Sequence, residues 1–72
     1  MTRREKRLQD LRNNPRNSSL NDFESVIKGF GVIEEGAKHP KAIIGVHTLP
    51  YKKENPMKAC YVLQLLEIID SL

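Results

Sequence analysis

Two histidines, His39 and His47, are the only ones in the 72-residue chain, and both lie in a segment rich in lysine. Pro40 favours an extended backbone at His39, so we expect this imidazole to project from the start of a strand. Imidazoles exchange protons near neutral pH, and the neighbouring Lys38 and Lys41 are placed to hold a phosphate beside it. These residues suit RNA cleavage, in which a base takes the proton of a 2′-hydroxyl. An ordinary surface histidine is the competing interpretation.

The sequence pattern around His47 does not decide which way its side chain points. If residues 43–49 form one strand, the period of two places His47 on the same face as Ile43, Gly45 and Leu49. The two faces of that strand are about equally apolar. The sequence therefore leaves two roles open for His47, an accessory proton carrier and a half-buried structural residue.

Tyr51 also has two interpretations. It precedes Lys52 and Lys53, so its ring is placed to stack on an exposed base while the lysines bind phosphates. Packing of the same ring against the end of the sheet is equally compatible with the sequence.

Charge is unevenly distributed along the chain. Residues 1–17 and 37–58 each carry four more positive than negative charges, whereas residues 22–35 are acidic. Two basic blocks around an acidic one indicate a face that binds a polyanion, although solvated lysines on a small domain give the same pattern. Charge alone does not distinguish RNA, DNA and an acidic protein as the partner.

Several classes of site are disfavoured by what the chain contains. The single cysteine, Cys60, forms no intrachain disulfide, and inside a helical pattern it is expected to be a small buried thiol. Two histidines without a nearby cluster of carboxylates make a poor metal site, and no glycine-rich segment matches a nucleotide-binding loop. No apolar run is long enough to span a bilayer. We therefore expect a cytoplasmic protein that binds no metal, cofactor or membrane.

The apolar spacing predicts an α+β domain. A chain this short buries only about 60% of the surface that its unfolded form exposes, so we expect an open site rather than an enclosed cavity. A first helix covers about twelve residues, and its narrow face of Leu8 and Leu11 predicts weak docking. A second helix begins at the N-cap Ser19 and ends near Gly29 and Gly31.

Strands and a final helix follow in the second half of the chain. Residues 30–35 and 42–49 are rich in β-branched residues and predict two or three antiparallel strands. A final helix is predicted from the end of the loop at residues 50–56, with Asn55 as its cap and Pro56 in its first turn. With so few strands, the helices must cover one face of the sheet and leave the other open.

Three segments in this order resemble the HicA family of bacterial toxin ribonucleases: LRNNPRNSSLNDFESVIKGFGV, EEGAKH and HTLPYKKENPMKACYVLQLLEIID. The resemblance spans residues 10–70. It implies one HicA-like domain over residues 1–72, with a basic N-terminal helix at 1–14 and a core at 19–72. The implied fold is similar to that of a double-stranded-RNA-binding domain, with a three-stranded antiparallel sheet and helices packed on one of its faces.

The resemblance also implies a function. Family members cleave messenger RNA without a metal, through a histidine that follows a glycine at the head of the second strand. That histidine matches His39, and the glycine matches Gly36. The residues expected to contact RNA are Gly36, Lys38, Lys41, Lys52 and Lys53. A HicB-type antitoxin is the expected protein partner. Two alternatives are an RNA-binding module that does not cut and a protein-interaction domain.

Overall fold

Three helices and one three-stranded antiparallel sheet form the chain over residues 3–72, the part that the computed structural model describes. The strand order in the sheet is β1-β2-β3. The predicted α+β class, with three strands between the second and third helices, is confirmed. The elements are α1 (Arg3–Asn13), α2 (Leu20–Phe30), β1 (Val32–Glu34), β2 (Lys41–Ile44), β3 (His47–Pro50) and α3 (Ala59–Asp70).

Helix α2 starts and stops where its local sequence predicts. The Oγ of Ser19 accepts a hydrogen bond from the backbone N–H of Asp22 at 3.1 Å, which satisfies a free amide of the first turn. The helix ends at Gly31, next to β2. A Cβ added to Gly31 would lie 2.0 Å from the carbonyl oxygen of Ile43, so only glycine fits at this crossing.

A single strand over residues 43–49 does not form, because the chain reverses at Gly45 and Val46. Gly45 has a φ of +62°, in the left-handed region that favours glycine. A glycine with positive φ at the first central position is typical of a two-residue β-hairpin turn. The turn separates β2 from β3, and it pairs Ile44 with His47 and Lys41 with Pro50.

The helices cover one face of the sheet, as the sequence predicts. Alternate strand residues Ala42, Ile44 and Leu49 are buried against α2 and α3. The opposite, open face carries Val32, Glu34, Lys41, Ile43, Thr48 and Pro50. One lysine and one glutamate on this face make it nearly neutral, so the sheet face itself is not the basic surface.

The first helix docks more firmly than its narrow apolar face predicts. Leu11 is completely buried, and Leu8 packs beside it at the edge of the core. The guanidinium of Arg12 binds both carboxylate oxygens of Asp70 at the end of α3. This hydrogen bond lowers the pKa of Asp70 below the usual value of an aspartate. The last turn of α1 is therefore held from two sides.

The start of α3 differs from the prediction. The helix begins at Ala59, three residues after Pro56, and the Asn55–Pro56 peptide bond is cis. Asn55 does not cap α3; its Oδ1 instead accepts a hydrogen bond from the backbone N–H of Leu20 at 3.4 Å. Cys60 is exposed rather than buried, because it lies on the outer side of the first turn of α3. Among residues 3–72, no helix is long and apolar enough to span a membrane.

Candidate functional site

An open depression of about 330 Å³ lies at one end of the sheet. Its walls come from two segments, the loop 35–40 between β1 and β2 and the segment that follows β3. The two meet because β2 and β3 are antiparallel, so the start of one strand lies beside the end of the other. The lining residues are Glu35, Gly36, Lys38, His39, Pro40, Lys52 and Lys53. The structure thus brings together five of the six residues predicted for catalysis and RNA binding.

His39 is exposed in the loop 35–40, and the backbone of this loop is constrained on both sides of the histidine. On one side, the carbonyl oxygen of the buried Pro40 accepts a hydrogen bond from the N–H of Tyr51 at 3.1 Å. On the other side, a Cβ added to Gly36 would lie 2.5 Å from the carbonyl oxygen of His39. The glycine that precedes the histidine is therefore needed for the tight path of this loop.

Carboxylates accompany the lysines of the depression. The Nζ of Lys53 lies 3.2 Å from an oxygen of Glu35 and 4.0 Å from an oxygen of Glu24. Lys52 lies 3.7 Å from Glu54. Within the described residues 3–72, Lys38 forms no ion pair, so its charge is not offset by a carboxylate. Lys38 is therefore the cation of the depression most available to an incoming phosphate.

Glu35 is the residue of the depression that the sequence analysis missed. It lines the same surface as His39 and accepts a hydrogen bond from Lys53. A signal was present, since Glu35 directly precedes Gly36 in the segment that carries the histidine. The counter-ion Glu24, which comes from α2, has no such signal in the local sequence.

Lys41 does not line the depression. It is the first residue of β2 and lies exposed on the open face of the sheet, between its register partners Glu34 and Pro50. Lys41 therefore lies outside the lining that holds His39, and its predicted contact with RNA stays a prediction.

Tyr51 belongs to the core. Its side chain is only 1% exposed, and its ring meets Phe23 edge to face with the centroids 5.0 Å apart. The hydroxyl donates a hydrogen bond to a carboxylate oxygen of Glu24 at 2.6 Å. Burial, and then this bond to a carboxylate, raise the pKa of Tyr51 well above its usual value. Of the two predicted roles, the buried ring fits packing at the end of the sheet, where α2 covers it, rather than stacking on an exposed base.

His47 lies at the other end of β2, away from the depression. The three residue steps from Lys41 to Ile44, the partner of His47, alone span about 10 Å of strand, so the two imidazoles do not share one phosphate. The Nε2 of His47 lies 3.4 Å from the Oγ of Ser71, which already donates its proton to the carbonyl oxygen of Ile68. This serine is not activated as a nucleophile. His47 is half-buried, in agreement with the structural role.

The surface beside His47 is a second depression, of about 350 Å³. It is lined by His47, Thr48, Leu49, Gln64, Glu67, Ile68 and Ser71, and it contains no lysine or arginine. Its composition does not suit a polyanion. Within residues 3–72, no three histidine, cysteine or acidic side chains cluster so as to hold a metal ion.

None of the protein-family models, curated proteins and solved structures compared with this chain matches it.

Proposed function

We propose that the chain is a HicA-like ribonuclease that cleaves messenger RNA at the depression around His39. One observation carries this proposal. Two segments distant in sequence place an exposed imidazole among three lysines, Lys38, Lys52 and Lys53, on an open surface. Lysines bind phosphate as point charges, and an imidazole transfers protons near neutral pH. Such a toxin acts on messenger RNA, which places the activity in the cytoplasm.

The reaction is the attack of a ribose 2′-oxygen on the adjacent phosphorus, with departure of the 5′-oxygen of the next nucleotide. The products are a 2′,3′-cyclic phosphate and a free 5′-hydroxyl, so no water or cofactor is consumed. His39 exchanges a proton with one of the reacting oxygens. Lys38 and Lys52 stabilise the extra negative charge that develops on the phosphorane.

Recognition is expected to depend on the RNA backbone rather than on its bases. The chain has four aromatic residues, Phe23, Phe30, Tyr51 and Tyr61, and each is buried or half-buried. Single-stranded RNA is usually held by exposed aromatic rings that stack on bases. Structured RNA is held mainly by phosphate and 2′-hydroxyl contacts. The proposal therefore favours a structured substrate with little sequence preference.

The order of elements supports the finer description of the fold. Residues 20–70 run helix, three antiparallel strands, helix, with both helices on one side of the sheet. We take this as a fold similar to a double-stranded-RNA-binding domain, with α1 as an addition. A HicB-type antitoxin is the protein partner that this proposal implies. Val32, 60% exposed on the open face, is an apolar contact point for it.

The test compares two histidine variants of the purified chain. A positioned acid or base contributes about 100- to 10,000-fold to the rate, so His39→Ala should lower RNA cleavage by that factor. His47→Asn is the matched control, and it should cleave at the wild-type rate. Circular dichroism shows whether both variants keep the fold. Equal cleavage by the wild type and His39→Ala would overturn the proposal.

A binding measurement separates the remaining functions. Lys38→Ala should weaken binding of a 2′-O-methyl RNA, which is not cut, and reduce the dependence of binding on salt by about one phosphate contact. Lys28→Ala, at an exposed lysine of α2 outside the depression, is the control. Salt-dependent binding without cleavage would identify an RNA-binding module. Negligible binding at physiological salt would instead favour a protein-interaction domain.

A further inference from the structure

The depression holds a second group capable of proton transfer. Glu35 follows the last residue of β1, and His39 lies near the start of β2, so the two residues occupy opposite arms of one short hairpin loop. The backbones of Gly36 and His39 approach closely inside this loop. Both side chains line the same open surface.

Two carboxylates, Glu24 and Glu35, contact Lys53, and they differ in their exposure to solvent and in their other hydrogen bonds. The Glu24 side chain is 21% exposed and already accepts a hydrogen bond from Tyr51, whereas the Glu35 side chain is 67% exposed. Only Glu35 lines the depression. The bond to Lys53 uses one carboxylate oxygen of Glu35, at 3.2 Å, so the other oxygen of this exposed side chain can face a substrate.

Cleavage through the 2′-oxygen requires two proton transfers. One group removes the proton from the 2′-hydroxyl as that oxygen bonds to phosphorus, and another gives a proton to the departing 5′-oxygen as its bond to phosphorus breaks. A single histidine performs only one of these transfers at a time. The ion pair with Lys53 requires Glu35 in its charged form, which takes a proton rather than gives one.

We propose that Glu35 is the general base and His39 the general acid of this reaction, an assignment that rests on the ribonuclease function proposed above. Glu35 takes the 2′-hydroxyl proton, and protonated His39 gives a proton to the 5′-oxygen. The charged groups that face Glu35 are Lys38 and His39 from its own loop and Lys52 and Lys53 from the segment after β3. Glu24 of α2 faces it across Lys53.

The test measures binding and cleavage separately in Glu35→Gln. Because this change removes a negative charge from the depression, the affinity for 2′-O-methyl RNA should stay equal or rise. The single-turnover cleavage rate should nevertheless fall by about 100- to 10,000-fold, the contribution of a positioned base. Glu34→Gln, at an exposed glutamate outside the depression, should leave both quantities unchanged.

Each outcome has a distinct meaning. If the wild type cleaves RNA and Glu35→Gln cleaves as fast or faster, Glu35 is only a counter-ion of Lys53 and the assignment is overturned. If the wild type leaves RNA intact, the ribonuclease function itself fails. Products that end in a 5′-phosphate would also overturn the assignment, because they require attack by water rather than by the 2′-oxygen.

Discussion

The substitution Gly36→Ala tests how the loop holds His39. The added Cβ would lie 2.5 Å from the carbonyl oxygen of His39, whereas a Cβ essentially never lies within 3.0 Å of such an atom and its ordinary contacts begin at 3.4 Å. The carbonyl must therefore move by about 0.5–0.9 Å. Since Pro40 is buried and held by Tyr51, the movement is taken up within residues 36–39, the segment that carries the imidazole.

The expected consequence is a loss of activity without a loss of fold. A misplacement of about 1 Å costs on the order of 100-fold in rate, so Gly36→Ala should lower RNA cleavage by about 10- to 100-fold. Because the clash is with a backbone atom, the free energy of unfolding should fall by about 1–3 kcal/mol, the cost of local backbone strain, and the chain should stay folded. Urea unfolding and a fluorescent RNA assay measure the two quantities.

Gly45→Ala is the matched control at the opposite end of β2. Its φ of +62° penalises any side chain, so this variant should lose about 1–2 kcal/mol of stability. Its cleavage rate per folded molecule should equal that of the wild type. A readout independent of activity is the set of backbone amide chemical shifts, which Gly36→Ala should change over residues 36–40. Wild-type cleavage by Gly36→Ala, or equal losses in both variants, would refute the reasoning.

Three further predictions concern stability. Leu11→Ala should lower the free energy of unfolding, measured with urea, by about 2–5 kcal/mol, because Leu11 is completely buried. A decrease below about 1 kcal/mol would show that α1 is not part of the cooperative fold. Tyr51→Phe should cost about 1–2 kcal/mol near neutral pH through the lost bond to Glu24. Since the pKa of Tyr51 is raised in the folded state, the extra stability of the wild type over Tyr51→Phe should be lost as pH rises above the ordinary tyrosine value of 10.0. A difference in stability that stays constant with pH would contradict this prediction. Asp70→Asn should lower the thermal midpoint of unfolding at neutral pH, because Arg12 stabilises only the charged carboxylate. The difference in thermal midpoint between the wild type and this variant should vanish as pH falls through the lowered pKa of Asp70. Equal differences in thermal melts near neutral pH and at about pH 2 would refute this.

Features set by neighbouring residues were predictable from the sequence. The N-cap of α2 at Ser19 depends on an amide three residues away, and the helix runs to Phe30 as its apolar spacing indicates. Gly36, Lys38 and His39 also lie close together simply because one short loop carries all three. These parts of the fold and of the site were therefore within reach of a single sequence.

Features that depend on tertiary contacts were missed. Asn55 has the side chain of a helix cap, but the first turn that it contacts is that of α2, 35 residues away. The carboxylate nearest to Lys53 is 18 residues away in sequence. The burial of Tyr51 depends on Phe23 and Glu24 of α2. No periodicity within the segment that carries Tyr51 indicates that α2 covers it.

The two-residue turn at Gly45 and Val46 explains why one histidine belongs to the depression and the other does not. In an uninterrupted extended chain, the fourteen residue steps from His39 to Lys53 would span about 45 Å. The turn instead brings Pro50 back to pair with Lys41, so the following lysines lie beside His39. The same reversal leaves His47 at the far end of β2, paired with Ile44. The turn residues Gly45 and Val46, which have no reactive side chain, therefore bring the lysines and His39 together and separate the two imidazoles.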